Sequence, residues 1–115
     1  MPTGPNPTVL ANFQATVANS TPSVATDGYA TGGNRFLNIW YNLSAGSTSV
    51  TTRIWFYRQS VGWVLYTDVP TTTILTANGG GFLQLEARGV QRVYVELITF
   101  TGTPTVDVHI DGITY

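Results

Sequence analysis

The stretch RVYVELITFTGTPTVDVHID, residues 92–111, decides the fold. In it Val93, Val95 and Leu97 alternate with Arg92, Tyr94 and Glu96. Beyond the turn Thr101-Gly102-Thr103-Pro104, Val106, Val108 and Ile110 alternate with Asp107, His109 and Asp111. A period of two sends one set of side chains to a core face and the other set outward, which is the geometry of a β-strand.

The same texture extends outward through the chain. Val9 to Val17 reads as a first strand, with Val9, Ala11, Phe13, Ala15 and Val17 on one face. Asn19 to Gly33 is loop-rich, with a short extended piece expected around Val24. Arg35 to Leu43 places Leu37, Ile39, Tyr41 and Leu43 opposite Phe36, Asn38, Trp40 and Asn42. Aromatics on both faces suggest a central strand, buried on both sides or covered by a neighbour. Val50 to Arg58 alternates in the same way, turns at Gln59-Ser60-Val61-Gly62 and returns through Trp63 to Tyr66 as a hairpin. Thr71 to Leu75 reads as a short edge strand closed by Asn78 to Gly81. Phe82 to Arg88 points Leu83, Leu85 and Ala87 inward and breaks at Gly89. No segment carries helical spacing with a capping residue. About eight strands joined by short turns and a few longer crossings predict an all-β fold, a two-sheet antiparallel β-sandwich. A jelly roll is the favoured topology, and an immunoglobulin-like Greek key without its Cys–Trp–Cys spacing is the alternative. Leu37, Ile39, Leu83, Leu85, Val93, Val95, Val106 and Val108 are expected in the core.

With 115 residues the chain has material for one core. The expected division is an extended, Pro-rich N-terminal arm over 1–8 and a single sandwich domain over 9–115. Charged residues make up 10% of the chain, against about a quarter in ordinary domains. Every basic residue is an arginine (Arg35, Arg53, Arg58, Arg88 and Arg92) and the net charge is −1. With no basic run, a partner bound through nucleic-acid phosphates is not expected. So little charge gives weak protection against association, which suits a surface covered by other subunits. There is no cysteine, so disulfides and thiolate metal sites are excluded. The N-terminus lacks the basic and apolar regions of a signal peptide, and no apolar run approaches the roughly 18 residues of a membrane-spanning helix. A soluble, cytoplasmically made protein is expected.

Few residues offer chemistry. Asp107, His109 and Asp111 share the outward face of one strand and could ligate a divalent cation or move a proton. The more economical reading makes them the polar half of an alternating strand, since nothing in the sequence completes a ligand set. Glu86 and Glu96 could be posed as a glycosidase pair. Surface ion pairing with Arg88 or Arg92 across adjacent strands accounts for them better. His109 has no nucleophile partner and no G-x-S-x-G elbow exists. Neither catalysis, a cofactor nor an essential metal is therefore expected. The better signals for binding are aromatic. Trp55, whose neighbours alternate cleanly, is expected in the core. Trp40 shares its face with Asn38 and Asn42, so it is balanced between core and contact surface.

The stretch from Asn34 through Ile110, about two-thirds of the chain, resembles small accessory β-sandwich proteins of tailed bacteriophages. The resemblance is carried by RFLNIWYNLS (35–44), TTRIWFYRQSVGWVLY (51–66) and GVQRVYVELITFTGTPTVDVHID (89–111), the last looking like the closing hairpin of such modules. It implies a virion structural role: a head decoration, or cement, protein, or a related tail or fibre module. The implied partners are the major capsid protein and further copies of the chain itself, trimers being common among such proteins. No nucleic acid or membrane is implied, and the implied location is the capsid surface. A jelly-roll carbohydrate-binding module using exposed aromatics is the rival from another class.

The candidate interface is accordingly Pro2, Pro5, Pro7, Asn38, Trp40 and Asn42. The prolines keep residues 1–7 extended, and at about 3.1 Å per residue the arm reaches roughly 20 Å, enough to cross onto an adjacent subunit. Deleting residues 1–7 is expected to leave the melting temperature of the isolated domain nearly unchanged while weakening its retention on capsid shells. Calorimetry together with sedimentation of the truncated chain with shells checks this, and equal retention would make the arm a passive tail.

Overall fold

Alternating sequence becomes two packed sheets in the computed structural model, which describes residues 8–44, 48–67, 71–75 and 81–113. The strands are β1 (Thr8–Ala15), β2 (Tyr29–Ala30), β3 (Phe36–Leu43), β4 (Ser49–Arg58), β5 (Gly62–Leu65), β6 (Thr72–Leu75), β7 (Gly81–Glu86), β8 (Arg92–Thr101) and β9 (Val106–Ile113). Among the described residues there is no helix, and therefore none long and apolar enough to cross a membrane. The first sheet runs β1-β9-β3-β7 and the second β2-β8-β4-β5, with β6 also paired to β4. Every pairing is antiparallel. The chain is thus the all-β, two-sheet antiparallel sandwich that the alternation predicts.

The inner faces supply the core. Leu37, Ile39 and Tyr41 of β3, Val50 and Ile54 of β4, Val93, Val95 and Leu97 of β8, and Val106, Val108 and Ile110 of β9 are all buried. Of the eight residues expected inside, Leu83 alone is only partly buried, packing against this cluster from the edge strand β7. The hydroxyls of Tyr41 and Thr52 are both buried, and among the described residues neither makes a well-formed hydrogen bond. Burial pushes the Tyr41 phenol up to about 12, with Thr52 opposing the shift.

Several local expectations are corrected. In β1 the register slips between Val9 and Ala11, so a bulge turns Val9 outward and Leu10 inward. Val17 lies beyond the strand and is exposed. Val24 is in no strand; the extended piece of that loop is β2, paired with Val93 and Arg92 of β8. The largest correction concerns residues 92–111. The strands flanking Thr101 to Pro104 do not pair as a closing hairpin: β8 belongs to the second sheet and β9 to the first. Pro104 has no N–H to give a ladder. Ser44, at the end of β3, captures Thr105 instead, donating its N–H to the Thr105 carbonyl at 3.0 Å and accepting the Thr105 N–H on its hydroxyl at 3.2 Å. The β4–β5 turn is a true hairpin. The Val61 N–H closes on the Arg58 carbonyl at 2.9 Å and Gly62 follows at φ 93°.

Gly28 marks the tightest approach of a loop to a sheet. Its φ is +69°, and a Cβ there would collide with the Val93 carbonyl oxygen and crowd the Trp63 ring at 3.2 Å. Gly33 has a similar φ of +75° with open space around it. Gly28→Ala should therefore destabilise the fold by more than the about 1–3 kcal/mol of a left-handed alanine alone, and Gly33→Ala by no more than that. Urea-unfolding midpoints of the two variants check the order.

Candidate functional site

The two outer faces of the sandwich have different fates. The second sheet points Arg53, Trp55, Tyr57, Trp63, Arg92, Tyr94 and Glu96 outward, and the segment between β1 and β2 lies across them. Asn19 grips the free edge of β8, its side chain accepting from the Leu97 N–H at 2.7 Å and donating to the Val95 carbonyl at 3.0 Å. Tyr94 donates its hydroxyl hydrogen to the Ser20 carbonyl, and the Trp63 indole N–H reaches the Val24 carbonyl at 2.8 Å. Arg92 donates to the carbonyls of Thr26, Asp27 and Gly28. Asp27 ties the loop internally, accepting the Ser23 and Val24 N–H groups at 2.8 and 3.1 Å, bonds that lower its carboxyl pKa.

Beneath this segment Glu96 is buried. Its carboxylate accepts from Arg53 Nε at 2.7 Å, from the Trp55 indole at 2.8 Å and from the Thr21 hydroxyl at 3.4 Å. Arg53 also sits 5.5 Å from the centre of the Trp55 ring. Burial works to raise the Glu96 carboxyl, but the bonds from Arg53 and Trp55, the Arg53 charge and Thr21 together hold it below the usual glutamate range. Two expectations change here. Trp55 is half-buried on the outer face, not in the core, because a carboxylate stands beside its N–H. Glu96 pairs with Arg53, its neighbour across β4, while Arg92 is taken up by backbone carbonyls. Glu86 meets the exposed Arg88 at 3.6 Å, and the two glutamates stand on different sheets.

The first sheet carries no such cover among the described residues. One row crosses all four of its strands: Asn12, His109, Trp40 and Phe82 are successive register partners. Trp40 and Phe82 are 48% and 47% exposed, and their ring centroids lie 4.2 Å apart. Gln14, Asp107 and Asn42 form the row on one side, and Val9, Asp111, Asn38 and Gln84 the row on the other. An aromatic pair thus stands in a field of amides, with the only charges in these rows coming from Asp107 and Asp111. The Asn38 side-chain oxygen is buried without a donor.

Asn38, Trp40 and Asn42, singled out from sequence, therefore lie together on one open face. Pro2, Pro5 and Pro7 lie outside the described residues. The Asp107–His109–Asp111 row is on the same face, and two of its members are already engaged: Asp107 accepts from Gln14 Nε2 at 2.7 Å, and His109 Nδ1 lies 2.7 Å from Asn12 Oδ1. Among the described residues no three His, Cys, Asp or Glu side chains converge as a metal site. Phe82 is the residue that sequence reading missed. Its outward phase follows from Leu83 pointing inward, but its place beside Trp40 depends on β7 pairing with β3.

Comparison with protein-family models, with curated proteins and with solved structures returned no match.

The Glu96 cluster yields a pH dependence. A carboxyl held below its unfolded value adds stability that is complete above the ordinary glutamate range and disappears as pH falls through the lowered folded value. Glu96→Gln should cost about 1–2 kcal/mol at pH 6, less than a fully buried ion pair because Arg53 keeps a third of its side chain in solvent. The gap between native and variant should narrow as pH drops below about 4. Urea titrations across that range check this, and a gap independent of pH would contradict it.

Proposed function

We propose that this chain is a non-enzymatic structural module, a capsid decoration (cement) protein that seats on the head shell of a tailed bacteriophage through protein–protein contacts. The observation that carries the reading is the open outer face of the first sheet, where Trp40 and Phe82 form an exposed aromatic pair among neutral amides. Aromatic residues at the centre of a patch with little charge are what the cores of protein interfaces are made of. A single buried tryptophan there can dominate the affinity. The low charge of the whole chain supports the same reading, since such a surface is suited to being covered.

The placement on a virion rests on the resemblance of residues 34–110 to phage accessory sandwiches. In that setting the partners are the major capsid protein and further copies of the chain, a trimer among the options, at the capsid surface after synthesis in the host cytoplasm. A tail or fibre module would use the same face. The strand order supports jelly-roll winding, because the first and last strands lie side by side and the chain repeatedly crosses between the sheets.

The same face also favours a second reading. An aromatic plate flanked by Asn38, Asn42, Gln84 and His109 could stack on a sugar ring and hydrogen-bond its hydroxyls, as in a carbohydrate-binding module.

Sedimentation of the purified protein with shells assembled from the capsid protein of the same genome separates these readings. The native chain should co-sediment. Trp40→Ala should weaken binding about thirtyfold, the loss of a hot-spot residue at about 2 kcal/mol, with a nearly unchanged melting temperature. Failure of the native chain to bind shells would remove the decoration reading. Saturable binding on a glycan array, abolished by Trp40→Ala, would replace it with the carbohydrate one.

A further inference from the structure

A second surface lies at one end of the sandwich, away from the aromatic face. Three connections meet there: the loop between β2 and β3, the β4–β5 turn and the β7–β8 turn. They enclose an open groove of about 730 Å³, to which Arg35, Arg58 and Arg88 all contribute. Three of the chain's five basic residues thus line one groove, and among the described residues no Asp or Glu lines it. In sequence they are scattered; the topology gathers them.

The groove is built rigidly. The Thr31 N–H donates to the Gln91 carbonyl at 3.0 Å, the Gln91 N–H to the Tyr57 carbonyl at 2.9 Å and the Ala87 N–H to the Arg35 carbonyl at 2.7 Å, so each connection is tied to another. The Gln91 side chain accepts the Gln59 N–H as well. Arg58 is steered by donating one Nη1 hydrogen to the Gly89 carbonyl at 3.2 Å, which leaves most of its five N–H donors for other partners. Arg88 meets Glu86 at 3.6 Å with both side chains more than half exposed, a contact weak enough to exchange for a ligand.

A smaller groove of about 300 Å³ adjoins the first and shares Arg58, Arg88, Gly89 and Val90 with it. Its far side carries Val61 and Val64, which are 66% and 48% exposed. The two arginines therefore stand between a polar, positive groove and an aliphatic shoulder.

We propose that this end of the sandwich is a docking site for an acidic peptide segment, its carboxylates held by Arg58 and Arg88 and a neighbouring apolar side chain laid on Val61 and Val64. Planar guanidinium forks match carboxylates two bonds at a time. The aliphatic shoulder beside them distinguishes a peptide from a polyanion that carries charge alone. Cross-tied turns keep the ordering cost of binding low. The site is separate from the Trp40 face, so it stands or falls independently of the decoration reading.

The test is titration of the ¹⁵N-labelled full chain, following the amide signals of Gly33 and Gly89. Four probes are compared: a capped tetrapeptide with two glutamates between two leucines, the same peptide with glutamines, a glucuronate tetrasaccharide and inorganic phosphate. The glutamate peptide should give saturable shifts at Gly89 that weaken as salt rises. Its affinity should fall at least about tenfold with glutamines, and by a similar factor in Arg88→Gln and in Arg58→Gln. Arg88→Gln touches no contact needed for folding, and Val61→Ser should weaken binding about threefold by removing the apolar seat. Absence of shifts, equal binding of the glutamine peptide, or equal binding of glucuronate or phosphate without dependence on Val61 would each overturn the assignment. So would arginine variants that alter only the oligomeric state in light scattering, since the occupant would then be a second copy of the chain.

Discussion

The insertion of β9 between β1 and β3 is the constraint on which the first sheet depends. Among the described residues β1 has no other strand partner in that sheet, and β3 reaches it only through β9. The bond between Asn12 and His109 spans 97 residues of chain, so nearly the whole polypeptide must be in place before this sheet exists. Pairings between such distant segments reward the chain only after their closure entropy has been met, which makes the ladder cooperative with the core beneath it. Val106, Val108 and Ile110 supply that core from the same strand. Their outward neighbours complete the rows that carry Trp40. The contact face is thus a by-product of closing the sandwich, and weakening the inner side of β9 would disassemble the outer side as well.

Against this shared scaffold the two outer faces diverge through a single covering segment. Trp40 and Trp55 both occupy outward positions on central strands, and both have aromatic neighbours. Trp55 is drawn down by Glu96 and Arg53, under a segment that Tyr94, Trp63 and Arg92 hold by its backbone and that Asn19 ties to the backbone of β8. Most of these bonds run from a side chain to a carbonyl, which fixes a loop without requiring complementary charges. That economy helps explain how the chain folds with 10% charged residues. Arg53 and Arg92 serve the interior of this layer, and Arg35, Arg58 and Arg88 line the end groove.

Alternation made much of this legible. It assigns Leu37, Ile39, Val93, Val95, Val106 and Val108 to the core, and it places Asn38, Trp40 and Asn42 together on the opposite side, because the phase of a strand is a local property. What it does not encode is adjacency. The Thr101–Pro104 turn looks like a hairpin from either flank, and the partners that take the chain from one sheet to the other, Ser44 and the strand before it, lie far away in sequence. Bulges erase phase in the same way. The slip at Leu10 turns Val9 out, and a second slip, pairing Thr51 with Thr99 and Thr52 with Leu97, leaves Ile98 as an extra residue in β8. The Glu96 partner, the Trp40–Phe82 pair and the arginine groove all depend on adjacency, so none of them can be read from a single segment.

The division of labour between strands and turns follows from the same distinction. Rows on a sheet inherit their spacing from the backbone ladder, so a face such as Asn12–His109–Trp40–Phe82 is broad and regular. A groove walled by three connections has no ladder to fix it and relies on individual bonds, such as those joining Thr31 to Gln91, Gln91 to Tyr57 and Ala87 to Arg35. Flat faces suit broad contacts with another folded surface, and cross-tied turns suit a narrow, charged ligand whose orientation matters. Both surfaces are built outside the buried cluster, so neither of the two proposed contacts requires the core to move.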